Sequence, residues 1–206
     1  MRFISYVSVA FLGLLLLTSG CARRVAAPLE VELPPERSSR PPLPSVADLL
    51  PMLDDPDPEI RLAAVTSLAM QVHEAKPAIS RLVNRLKDEH PLVRQTAADT
   101  LGMLQAAEAV EPLIALLHDV NLDVRRSAAI ALGKIGPAAS RASEALARAL
   151  QDSDEDVRLA ATVALGQLGP AAHSAVAALR RAANLADSET KQRIAESLKR
   201  IEVPAP

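Results

Sequence analysis

Few residues of this chain have types and spacing that could do chemistry, and most of them are charged. Arg61, Arg94, Arg125, Arg158 and Lys191 recur in one frame, at steps of 33, 31, 33 and 33 residues. Six residues before each arginine stands an aspartate: Asp55, Asp88, Asp119 and Asp152. Guanidinium and carboxylate are planar forks that fit each other through two parallel hydrogen bonds. The histidines, His73, His90, His118 and His173, include no pair four residues apart on one helix, as a helical metal site requires. His73 and Glu74 form the single His-Glu step. Ser127, Ser140 and Ser143 have no histidine base near them in sequence, and no glycine-rich phosphate loop joins a strand to a helix. No metal or other cofactor is expected from these residues, and the chain reads as a non-enzyme.

The elements that position the charges are helices. In the frame of Arg158, the preceding residue is Ile60, Val93, Val124, Val157 or Thr190, and the third residue on is Ala64, Ala97, Ala128, Ala161 or Ile194. Seven on stands Leu68, Leu101, Leu132, Leu165 or Leu198, and ten on Leu104, Ile135, Leu168 or Ile201, with Gln71 as the exception. Steps of four, four and three trace one buried stripe on a helix. Asp57, His90, Asn121, Asp154 and Asp187 lie where an N-cap belongs, and Pro58 and Pro91 suit the first helical position. Gly102, Gly133 and Gly166 recur inside the helix, where glycine is unfavourable unless a neighbouring helix approaches closely. Gly136-Pro137 and Gly169-Pro170 stop two of the helices. A second helix follows each first one and ends before an aspartate, as in Leu82, Val83, Leu86, Asp88. Self-similarity at this period marks a stacked array. It begins near Pro44 with half a repeat and closes on the polar helix that carries Lys191.

The run from Asp154 to Gly166, with its Asp, Val-Arg, Ala-Ala and Ala-Leu-Gly steps, and its counterpart from Asn121 to Gly133, resembles HEAT repeats of the short bacterial type also found in phycobilin lyase subunits. The resemblance covers about residues 44–202. It implies an all-α, right-handed α-solenoid of stacked helical hairpins, about four full repeats with terminal half-repeats. It also implies that each framed arginine is buried against an aspartate of its own or the adjacent repeat, so that Arg61, Arg94, Arg125, Arg158 and the weaker Lys191 form a structural ladder. In HEAT solenoids the second helices line the concave face. Their polar residues are therefore the expected partner-binding surface: Arg81, Asn84 and Arg85 on one helix, Glu108 and Glu111 on the next, Arg141, Glu144 and Arg148 on the third, Arg180 and Arg181 on the fourth.

Residues 1–20 combine Arg2, an apolar run from Phe11 through Leu17, and small residues before Cys21. That is the make-up of a signal peptide, and the run is shorter than the ~20 apolar residues of a spanning helix. Leu17 to Cys21 resembles the lipobox of bacterial lipoproteins, although Leu lies one place further upstream than usual. The resemblance implies lipidation of Cys21, and Ala22 after it favours the outer membrane's periplasmic face. Residues 21–43, with Pro28, Pro34, Pro35, Pro41 and Pro42, have linker composition, and 203–206 form a short tail.

The charge balance, 23 basic against 25 acidic residues, argues against nucleic acid as a partner. Phe3, Tyr6 and Phe11 all precede Cys21, so no aromatic platform follows it. From the sequence, then, the expectation is a non-catalytic, membrane-anchored scaffold or adaptor that binds a protein. A structural envelope protein acting by self-association or wall bridging comes second, and a lyase-type accessory subunit third.

Overall fold

The computed structural model describes residues 44–202. The signal segment, Cys21, the linker up to residue 43 and the tail 203–206 lie outside the described residues. Ten α-helices make up the described part: α1 (Val46–Met52), α2 (Pro58–Met70), α3 (Ile79–Arg85), α4 (Pro91–Met103), α5 (Val110–Leu116), α6 (Leu122–Ile135), α7 (Ser143–Ala149), α8 (Glu155–Leu168), α9 (Val176–Leu185) and α10 (Ser188–Glu202). Even-numbered helices are the first helices of the repeat and odd-numbered ones the second, giving an α-solenoid with no strand among the described residues.

The first helices begin as their caps dictate. Asp57 accepts from the N–H of Glu59 at 2.9 Å, Asn121 from that of Asp123 at 2.9 Å, and Asp154 from that of Val157 at 3.1 Å. His90 holds the N-cap position of α4, with Pro91 first in the helix as expected, but its side chain makes no capping hydrogen bond. α1 opens with a capping box between Ser45 and Asp48.

The predicted stripe is the core. Leu68, Leu101, Leu132 and Leu165 of the first helices are fully buried together with Leu82, Leu113, Leu146 and Leu179 of the second. Gln71, the exception in the stripe, gives its amide to the carbonyls of Pro44 and Ser67. First helices stack directly on one another, α4 on α6, α6 on α8 and α8 on α10. The glycines inside them permit it: a Cβ on Gly102 would lie 2.7 Å from the Cα of Ala131, and one on Gly133 would lie 2.9 Å from that of Ala164. At the ends of α6 and α8 the chain turns through Gly136 and Gly169 at φ of 71° and 60°, a region where any Cβ is strained.

Candidate functional site

The charged frame becomes a ladder, but the rungs run forward along the chain. Arg61 donates from Nε and Nη2 to the two carboxylate oxygens of Asp88 at 2.7 and 2.8 Å. Arg94 does the same to Asp119 at 2.8 and 2.9 Å, and Arg125 to Asp152 at 2.8 and 2.9 Å. The aspartate six residues upstream gives its arginine only a main-chain carbonyl, which the remaining nitrogen, Nη1, reaches: Asp55 for Arg61 at 2.8 Å, Asp88 for Arg94 at 2.8 Å, Asp119 for Arg125 at 3.0 Å. Each arginine is thus clamped by its own repeat and pairs with the next.

Each paired aspartate also accepts the N–H two residues on, that of His90, Asn121 or Asp154, at 3.0, 2.9 and 2.9 Å. Burial pushes the carboxyls of Asp88, Asp119 and Asp152 up. The arginine hydrogen bonds, those main-chain donors and the nearby positive charges outweigh it and hold all three below the ordinary carboxylate value.

The ladder ends differently. Arg158 keeps the clamp, donating from Nη1 to the carbonyls of Asp152 and Ser153 at 2.9 and 3.0 Å. Its Nε and Nη2 meet no carboxylate among the described residues. Lys191, the expected fifth rung, is exposed and in no ion pair among the described residues.

Arg158 lines a groove of about 700 Å³ between α7, α8, α9 and the start of α10. Apolar walls come from Leu150, Leu159, Ala182, Leu185 and Ile194. Arg181 adds a second positive charge, and Asp152, Glu155 and Asp187 supply negative ones, of which Asp152 is already paired with Arg125. Asp187 is engaged as the cap of α10, accepting from the N–H of Thr190 at 2.8 Å. This groove was not foreseen from the sequence.

Most charges of the expected face on the second helices are engaged in ion pairs, two of them within the face. Arg81 and Arg85 both reach Asp54, and Arg85 also reaches Asp88. Arg141 lies 3.8 Å from Glu111, Arg148 4.0 Å from Glu144 and Arg180 2.8 Å from Glu202. Asn84 and Glu108 are exposed. Arg181 alone of the ten lines the groove. No group of three or more His, Cys, Asp and Glu among the described residues could hold a metal ion.

Comparison with known proteins gives two kinds of likeness. The profile of HEAT repeats matches residues 46–133 and 110–199. The bilin biosynthesis protein MpeU of Synechococcus sp. (strain WH8020) is 39% identical over 82 residues, covering 38% of this chain and 28% of that protein. The chain therefore spans well under a third of that relative's length. Among solved structures, the complex of CpcE and CpcF of phycocyanin lyase from Nostoc sp. PCC7120 superposes with a TM-score of 0.68 at 22% identity, over 84% of this chain and 70% of that one. A designed armadillo repeat protein in complex with the peptide (KR)4 superposes at 0.64 and 22% identity, over 76% and 82%. These structures establish the fold.

The sequence relative corrects the functional expectation. A non-catalytic membrane scaffold, a self-associating envelope protein and the reading of the chain as a non-enzyme all give way to a relative named for bilin biosynthesis. No aromatic residue lies among the described residues, and the walls of the groove are aliphatic.

Proposed function

The chain belongs to the HEAT-repeat family, and from that premise we propose that it is a lyase-type accessory protein that holds an open-chain tetrapyrrole and works with a protein partner. The observation that carries this is the 39% identity over 82 residues to a bilin biosynthesis protein. The groove is of a suitable kind. Small-molecule sites are concave, mostly apolar and ~300–1,000 Å³ in volume, with a few placed polar groups, and this one is about 700 Å³ with Arg158 and Arg181 on its wall. A bilin is a long, largely apolar conjugated body carrying carboxylates. Titrating biliverdin into the purified chain tests the proposal: a saturable change in its long-wavelength absorption is expected, and an unchanged spectrum overturns it.

The same proposal includes attachment to a membrane, with the array facing the periplasm, through lipid on Cys21. Support comes from the run Leu17, Thr18, Ser19, Gly20, Cys21 behind an apolar stretch, since two or more acyl chains hold a protein firmly to a bilayer. No helix of the described residues is long and apolar enough to cross one. Palmitate labelling and membrane fractionation of the Cys21→Ser protein check this. Loss of both label and membrane association is expected, and retained label overturns the anchor.

A further inference from the structure

We propose that the groove at the fork of Arg158 is a carboxylate-binding site for a ligand with an apolar body, created because Leu185 stands where the other repeats carry the pairing aspartate. This rests on the function proposed above, under which the carboxylate is a propionate side chain of the tetrapyrrole.

The register carries the argument. Counting nine residues on from the first residue of α1, α3, α5 and α7 reaches Asp55, Asp88, Asp119 and Asp152, and the same count in α9 reaches Leu185. The last three of those aspartates receive the bidentate pair from the preceding arginine. At the fourth arginine, that place belongs to a leucine that is 93% exposed. The local backbone differs too. α3, α5 and α7 are seven residues long and release the chain before the aspartate, whereas α9 is ten residues long and runs through Leu185. Asp187, two residues later, is spent on capping α10.

Arg158 is nonetheless held as the other arginines are. Its Nη1 makes the same two main-chain hydrogen bonds, at 2.9 and 3.0 Å, that fix the guanidinium plane in the paired rungs. Nε and Nη2 are therefore aimed as a fork whose three counterparts each take one carboxylate at 2.7 to 2.9 Å. A side chain oriented in advance loses less freedom when a ligand arrives, and bidentate arginine contacts select carboxylates by geometry as well as charge. Around the fork, Leu150, Leu159, Leu185 and Ile194 offer apolar surface. Glu155 and Asp187, which also line the groove, would repel a polyanion, which favours a ligand carrying one or two carboxylates over a phosphate-rich one.

Biliverdin and its dimethyl ester share a chromophore and differ in their carboxylates, so titrating both into the wild-type chain, Arg158→Gln and Leu185→Asp decides the matter. The acid is expected to bind wild type and to weaken about 10- to 100-fold in both variants, the range of a hydrogen bond to a charged group. The ester should bind wild type as weakly as the acid binds the variants. Leu185→Asp changes an exposed residue, so it reads the site even where Arg158→Gln costs too much stability. Acid and ester binding wild type alike, or acid binding the variants as it binds wild type, overturns the site while the bilin reading stands. If neither compound binds wild type, the proposed function falls and this assignment with it.

Discussion

Asp152 accepts both Nε and Nη2 of Arg125, 27 residues away along the chain, and its Oδ1 also accepts the N–H of Asp154 at 2.9 Å. One carboxylate thereby joins two repeats and holds the loop that leads into its own first helix. The most enclosed of these rungs is Arg61 with Asp88, whose side chains are 6% and 2% exposed. Removing one partner of a buried pair leaves the other charge uncompensated, which costs ~3–5 kcal/mol. Asp88→Ala should lose that much in urea unfolding. Asp54→Ala, on a pair 50% and 44% exposed, should change stability by less than ~1 kcal/mol. Equal effects of the two substitutions would remove the ladder's structural role.

Acid should undo the ladder. Asp88, Asp119 and Asp152 are held below their ordinary value in the fold, so the folded state binds fewer protons than the unfolded one between the two sets of values. Their contribution is present above the unfolded carboxylate value of ~3.9 and is lost as pH falls through the lower folded values. Stability followed by urea unfolding from pH 6 downward should fall most steeply below about pH 4. Asp119→Asn, already lacking its share at neutral pH, should show a shallower acid slope. A parallel slope would refute the assignment.

The repeat was legible because its signals are local. A stripe at helical spacing, caps four residues before the basic position and glycines at one register can each be read within one helix, and the buried Leu68, Leu101, Leu132 and Leu165 follow from them. The direction of the rungs was not. Six residues separate Arg125 from Asp119 in sequence, yet that aspartate offers Arg125 its main-chain carbonyl and turns its carboxylate to Arg94 in the repeat before. Nor could charge counting show that Arg81 and Arg85 share Asp54. The break in the ladder did leave a trace, in the leucine at 185 that ends a series of four aspartates. The groove itself left no motif, because aliphatic walls look the same in a core and in a groove.

Close stacking of first helices reverses the usual sign of a glycine substitution. In an exposed helix, Gly→Ala gains up to ~1 kcal/mol. At Gly102 the new methyl would meet the main chain of α6, 2.7 Å from the Cα of Ala131. Gly102→Ala should therefore lose ~1–3 kcal/mol by overpacking, seen as a lowered Tm. Because the clash is with backbone, adding Ala131→Gly should not restore it. Full rescue by the double substitution would mean that the two helices are further apart than described here.

Asp99 on α4 is the carboxyl that works against the rest. Burial pushes it above the ordinary value, while Ser127 on α6 and the charges of Lys134 and Arg126 only partly offset this. With the folded value raised, the folded state holds its proton more tightly than the unfolded one. The group therefore costs stability at neutral pH, and that cost disappears as pH falls below the unfolded value of ~3.9. Asp99→Asn keeps the shape and drops the charge. It should raise the Tm at pH 7 and leave it close to wild type at pH 3, where both side chains are neutral. The opposite trend to that of Asp119→Asn is the test, since an aspartate on α4 and one in the loop after α5 would then respond to the same acid in opposite directions. A Tm gain of equal size at both pH values would assign the effect to packing, and a loss at pH 7 would mean that the Asp99 carboxylate is held as firmly as the rungs.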